Sequence, residues 1–155
     1  MGARREYDGW VENDALDPEA ATVLAYLDRL ADAHPELADR VVAHIDRCGV
    51  VTATLSLDRG AELYIQAGDG WDRVLWTCPS GRVHEWRWHE QATPEDLDAL
   101  VAGRGAERTA WVGTRLAGVR LVADERTLAT TEGRLRLAVL RRLPVRVHER
   151  DEAAL

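Results

Sequence analysis

The apolar pattern changes character at residue 50: before it the repeat is helical, and after it apolar and polar residues alternate with period two. Asp17-Pro18-Glu19 marks a helix start, because an aspartate N-cap accepts a backbone hydrogen bond and proline at the first helical position sacrifices no needed donor. Ala20, Val23, Leu24, Leu27, Leu30 and Ala31 then form one apolar stripe. Pro35 begins a second predicted helix, with Leu37, Val41, Ile45 and Cys48 on one face and Gly49 as its stop. The two helices are expected to form a hairpin.

Val51, Ala53, Leu55 and Leu57 alternate with Thr52, Thr54 and Ser56, the mark of a strand with one buried face. Asp58-Arg59-Gly60 suits a three-residue hairpin loop that pairs Leu57 with Ala61, Leu55 with Leu63 and Ala53 with Ile65. A loop through 68–71 sets Ile65 opposite Val74, and the turn Cys78-Pro79-Ser80-Gly81-Arg82 brings Trp76 opposite His84. These registers predict a four-stranded antiparallel meander over residues 50–89. Its inner face would carry Val74, Trp76, Cys78, His84, Trp86 and Trp88, and its outer face Tyr64, Glu85, Arg87 and His89.

Thr93-Pro94-Glu95-Asp96 starts a short third helix that Gly103 ends. Thr109 to Val122 reads as a strand broken near Ala117-Gly118, and Glu132-Gly133 as a turn into Arg134–Val139. Period alone suits residues 124–143 to helix or strand, with strands favoured. Residues 1–16 read as partly irregular and 150–155 as a frayed tail. The expectation is a single α+β domain over 1–155 in two layers. It consists of an N-terminal helix pair, a four-stranded antiparallel meander, a short helix and further C-terminal strands.

Composition narrows the setting. A chain of 155 residues can build one substantial core without a metal or disulfide. Cys48 and Cys78 are its two cysteines and read as free thiols of a reducing compartment. With neither a secretory signal nor an apolar run long enough to span a bilayer, a cytoplasmic protein without membrane contact is expected. All 20 basic residues are arginine, which points to a GC-rich bacterial genome and weakens any argument from a single arginine. Residues 1–103 hold 20 acids against 9 arginines, and residues 104–155 hold 7 acids against 11 arginines. A net charge of −7 disfavours nucleic acid, which would have to engage Arg134, Arg136, Arg141, Arg142 and Arg146.

The densest group of candidate chemistry is His84-Glu85-Trp86-Arg87-Trp88-His89. The metalloprotease HExxH pattern needs histidines four apart on a helix; here they are five apart on a strand and point to opposite faces. Cys78 and His84 share a face but supply two ligands where zinc needs at least three, so neither metal nor other cofactor is expected. Ser80 lies in a tight turn without the context of a nucleophile, and no catalytic residue is assigned. Acids such as Glu95, Asp96 and Asp98 sit at a helix start, where the dipole favours them.

Of six tryptophans, Trp10 and Trp71 stand outside the predicted inner face and make the better surface anchors. Together with Asp8, Glu12 and Asp14 they support a non-catalytic protein-binding module engaging a basic protein partner. The element order is similar, at the level of fold, to small bacterial immunity proteins and secretion chaperones, which implies the same kind of role. The alternative is a small enzyme or ligand-binding protein with a pocket between sheet and helices, using Tyr64, His84, Glu85 and His89. A cavity with two or more converging titratable groups would favour this alternative.

Overall fold

The structure is a computed structural model describing residues 3–7, 16–88, 94–132 and 147–155. Six strands form one sheet in sequence order: β1 (Arg4–Tyr7), β2 (Val41–Ile45), β3 (Val51–Ser56), β4 (Glu62–Gly68), β5 (Trp71–Thr77) and β6 (Val83–Trp86). β1 runs parallel to β2 and every later neighbour is antiparallel. The intervening helix α1 (Pro18–Ala33) packs against β2, β3 and β4. A second helix, α2 (Pro94–Val101), leads into a four-stranded sheet. Its strands are β7 (Gly105–Val112), β8 (Arg115–Ala123), β9 (Arg126–Glu132) and β10 (Val147–Ala153), ordered β10-β7-β8-β9.

This overturns the expected helix pair with a four-stranded meander. The first helix forms as its stripe requires: Asp17 Oδ1 accepts from the Glu19 N–H at 2.8 Å, and all six stripe residues are buried. The second helix does not. Pro35–Arg40 is a 3-10 helix, after which the chain becomes strand β2. Leu37, Val41 and Ile45 are spaced by four, so helical and strand periods both align them. Ala43, buried between Val41 and Ile45, decides for period two. Cys48 is exposed in the β2–β3 turn, where Asp46 Oδ1 accepts from the N–H groups of Cys48 and Val50 and Gly49 takes φ 78°.

The strands expected over 50–89 are four of the six in the first sheet. Leu55 pairs with Leu63, Ala53 with Ile65, Ile65 with Val74, and Trp76 with His84. Their inner side joins α1 in an apolar core that continues through Leu97 and Leu100 of α2 to Leu121 and Leu128 of the second sheet.

Two C-terminal expectations need correcting. The strand expected over Thr109 to Val122 is interrupted at Gly113, where φ is 58° and β7 turns into β8, and not near Ala117-Gly118. Those residues lie within β8 at a bulge: Ala110 pairs with Gly118 and Trp111 with Leu116, leaving Ala117 as the extra residue. Residues 126–132 are strand, as favoured for that stretch, while the proposed turn at Gly133 and the run 134–143 lie outside the described residues. Residues 150–155, expected to fray, do not: 150–153 close β10, and Ala154 just beyond it is fully buried and donates its N–H to the Gly105 carbonyl at 3.1 Å. Among the described residues, no helix is long and apolar enough to cross a membrane.

Candidate functional site

The sheets approach each other where the β5–β6 turn and β6 meet β7 and β9. The turn is closed by Cys78 N–H to Arg82 O and Gly81 N–H to Cys78 O, both 2.8 Å, with Gly81 at φ 82°. This places Cys78, Ser80 and Arg82 near β7, while the strand alternation turns His84 inward opposite Trp76. On β7 the inward positions are Gly105, Glu107 and Thr109. A carboxylate therefore stands where the first sheet has apolar side chains.

Glu107 is 1% exposed and accepts from three side chains. Arg82 Nη1 reaches Oε1 at 2.6 Å, His84 Nε2 lies 3.0 Å from Oε2, and Ser80 Oγ lies 3.2 Å from both oxygens. Burial alone would raise its pKa, but the bonds from His84 and Arg82 outweigh that and hold the carboxyl below its ordinary range. The other ring nitrogen of His84, Nδ1, is 2.6 Å from Thr131 Oγ1 on β9. Burial, followed by the nearby Glu107 charge, pushes the Cys78 thiol up to about 12.

Cys78, Pro79, Ser80 and Glu107 form one wall of a cavity of about 210 Å³; Arg59 and the β10 end, Glu152, Ala153 and Leu155, form the rest. Cys78 Sγ, a ring nitrogen of His84 and a carboxylate oxygen of Glu107 lie within 4.8 Å of one another, close enough to hold one ion. Counting ligands along the sequence found two of these three. The missed residue, Glu107, left one signal: an acid at an inward position of an alternating strand.

No family model, curated protein or solved structure matches the chain. Function must therefore be read from geometry.

The sequence-predicted pocket is not assembled from its four residues. His84 points inward, whereas Tyr64 and Glu85 lie in the outer row that runs through Leu75. Glu85 instead receives two hydrogen bonds from Arg73, at 2.7 and 3.1 Å. His89 lies outside the described residues, as do Asp8, Trp10, Glu12 and Asp14 of the predicted partner surface. Trp71 is 51% exposed at the start of β5, beside a shallow groove of about 410 Å³ shared with Arg73, Glu85 and Arg87. Trp76, Trp86 and Trp88 are buried.

Proposed function

We propose that this chain is a non-catalytic binding protein whose site is the cavity over Cys78, Ser80 and Glu107, and whose ligand is a small cation. The observation that carries this reading is a buried carboxylate, Glu107, set in the cavity wall and hydrogen-bonded by Arg82, His84 and Ser80. Glu107 and Glu152 line the space with Arg59, Arg82 pairs with Glu107 through Oε1, and Ser80 and Cys78 add oxygen and sulfur. Cys78 is disfavoured as a nucleophile by the same chemistry, because burial and the neighbouring carboxylate keep its thiol protonated at neutral pH.

Thermal denaturation with methylammonium, magnesium, calcium or zinc chloride tests the reading. A cation that binds only the folded chain at about 100 times its Kd adds roughly 2.7 kcal/mol, about 5–10 °C in Tm for this size. Glu107→Gln should remove the response. Failure of every cation to raise Tm, or an equal response in the variant, would reject the site.

A second reading, a surface for a basic protein partner, keeps one specific support in the exposed ring of Trp71. The first 103 residues add their acidic excess. Trp71→Ala should weaken such a complex by about 2 kcal/mol while leaving folding intact. A partner that binds the variant as tightly as wild type would remove Trp71 from the interface.

A further inference from the structure

We infer that the cavity's cation is a zinc-class divalent metal ion, held by Cys78 Sγ, His84 Nε2 and Glu107, with the fourth position open to the cavity. The inference rests on the cation-site reading above and names its ligand.

One hairpin, the β5–β6 turn and β6, supplies Cys78 and His84, and β7, more than twenty residues on, supplies Glu107. Bond lengths of about 2.0–2.3 Å in a tetrahedral zinc site place neighbouring donors roughly 3.3–3.6 Å apart. The three donors here already lie within 4.8 Å, and His84 Nε2 is 3.0 Å from Glu107 Oε2. Closing around an ion thus needs side-chain adjustment and no change of fold.

The surrounding bonds suit the role. Metal-bound histidine ordinarily directs its second nitrogen to a hydrogen-bond partner that fixes the ring. Thr131 Oγ1 stands 2.6 Å from Nδ1. With the ring proton on Nε2, the hydroxyl donates to Nδ1; with Nε2 on a metal, the proton moves to Nδ1 and the hydroxyl accepts. Arg82 fixes the carboxylate through Oε1 and Ser80 reaches both oxygens, while Oε2 is directed at His84. The thiol forms its bond to the ion by releasing its proton to solvent, a loss that the ion's own charge drives. Two anionic ligands, thiolate and carboxylate, then face the ion, with Arg82 still paired to the carboxylate through Oε1.

Donor chemistry selects the metal. A set of sulfur, imidazole nitrogen and one carboxylate suits zinc, cobalt or copper and is poor for magnesium or calcium, which take oxygen shells. Two of the three ligands, Cys78 and Glu107, line the cavity, which suits a site that keeps an exchangeable position. Ser80 and Glu152 line that space.

Full-length protein stripped by a chelator and titrated with zinc or cobalt(II) provides the test. One ion should bind per chain, and cobalt should give a thiolate charge-transfer band in the near ultraviolet. Cys78→Ser should abolish the band, while Cys48→Ser, at the exposed cysteine, should leave it. Thr131→Val should weaken affinity about tenfold or more and Thr131→Ser should restore it, a pattern expected of a positioning hydroxyl. Absence of stoichiometric binding, or a band that survives Cys78→Ser, overturns the inference. If methylammonium still raises Tm in a Glu107-dependent way while no metal binds, the metal falls and the cation site stands. If neither binds, both fall.

Discussion

The six-stranded sheet joins mostly neighbours in sequence and packs them through apolar rows, whereas the four-stranded sheet recruits β10 from the chain's far end and lines it with charge. In the first, Ala53, Ile65, Val74 and Trp86 make one continuous buried row across four strands. In the second, Arg108 makes two hydrogen bonds to Asp151, at 2.7 and 2.8 Å, and Arg120 reaches Glu149 at 2.6 Å. Apolar burial is non-directional and supplies cohesion; bidentate ion pairs supply little energy at a surface but specify register. The contrast teaches where a site can arise. The polar cluster lies at the seam, where Glu107 of the second sheet meets the turn and β6 of the first.

One residue ties the two regimes together. Trp76 belongs to the inner face of the first sheet, is fully buried, and donates from Nε1 to the carbonyl of Ala154 at 3.0 Å, just past β10. Trp76→Ala should therefore have the largest effect, about 3–5 kcal/mol in urea denaturation. It should also strip exchange protection from the β10 amides paired with β7. Trp76→Phe keeps most of the apolar volume and loses the donor, so a cost of about 1–3 kcal/mol isolates the unpaired carbonyl. Loss of protection confined to the first sheet would break the comparison, because β10 would then be held by its own ladder and ion pairs.

The difference between the sheets also explains what was legible in the sequence. Helix α1 and the hairpins from β3 to β6 depend on caps, turns and alternation between close neighbours, and each leaves a local pattern. β2 was ambiguous because a spacing of four fits two periods. β10 was invisible for a stronger reason: Val147-His148-Glu149-Arg150-Asp151-Glu152-Ala153 has no buried face, so it carries no alternation to read. Its place is fixed by a backbone ladder and by Arg108 and Arg120, 43 and 29 residues from their partners. The site shared that fate. Cys78 and His84 were visible as a pair on one face, but Glu107 joins them only after the second sheet folds back against the first.

The smallest effect tests whether the charged ladder contributes to stability or only to register. Hydrogen bonds from Arg108 lower the Asp151 pKa below its ordinary value of 3.8, against a smaller opposing effect of burial. The folded state thus binds that proton more weakly than the unfolded chain. The pair's contribution is complete above the ordinary value and is lost as pH falls through the lower, folded value. Both charges are partly solvated, with Asp151 46% exposed, so screening keeps the contribution below about 1 kcal/mol. Urea midpoints measured downward from pH 5 should fall less steeply in Asp151→Asn than in wild type, and added salt should narrow the difference. Parallel slopes at low salt would show that Arg108 and Asp151 set the register of β10 without stabilising it. In that case the second sheet, like the first, would owe its cohesion to the shared apolar core around Leu121, Leu128 and Ala154.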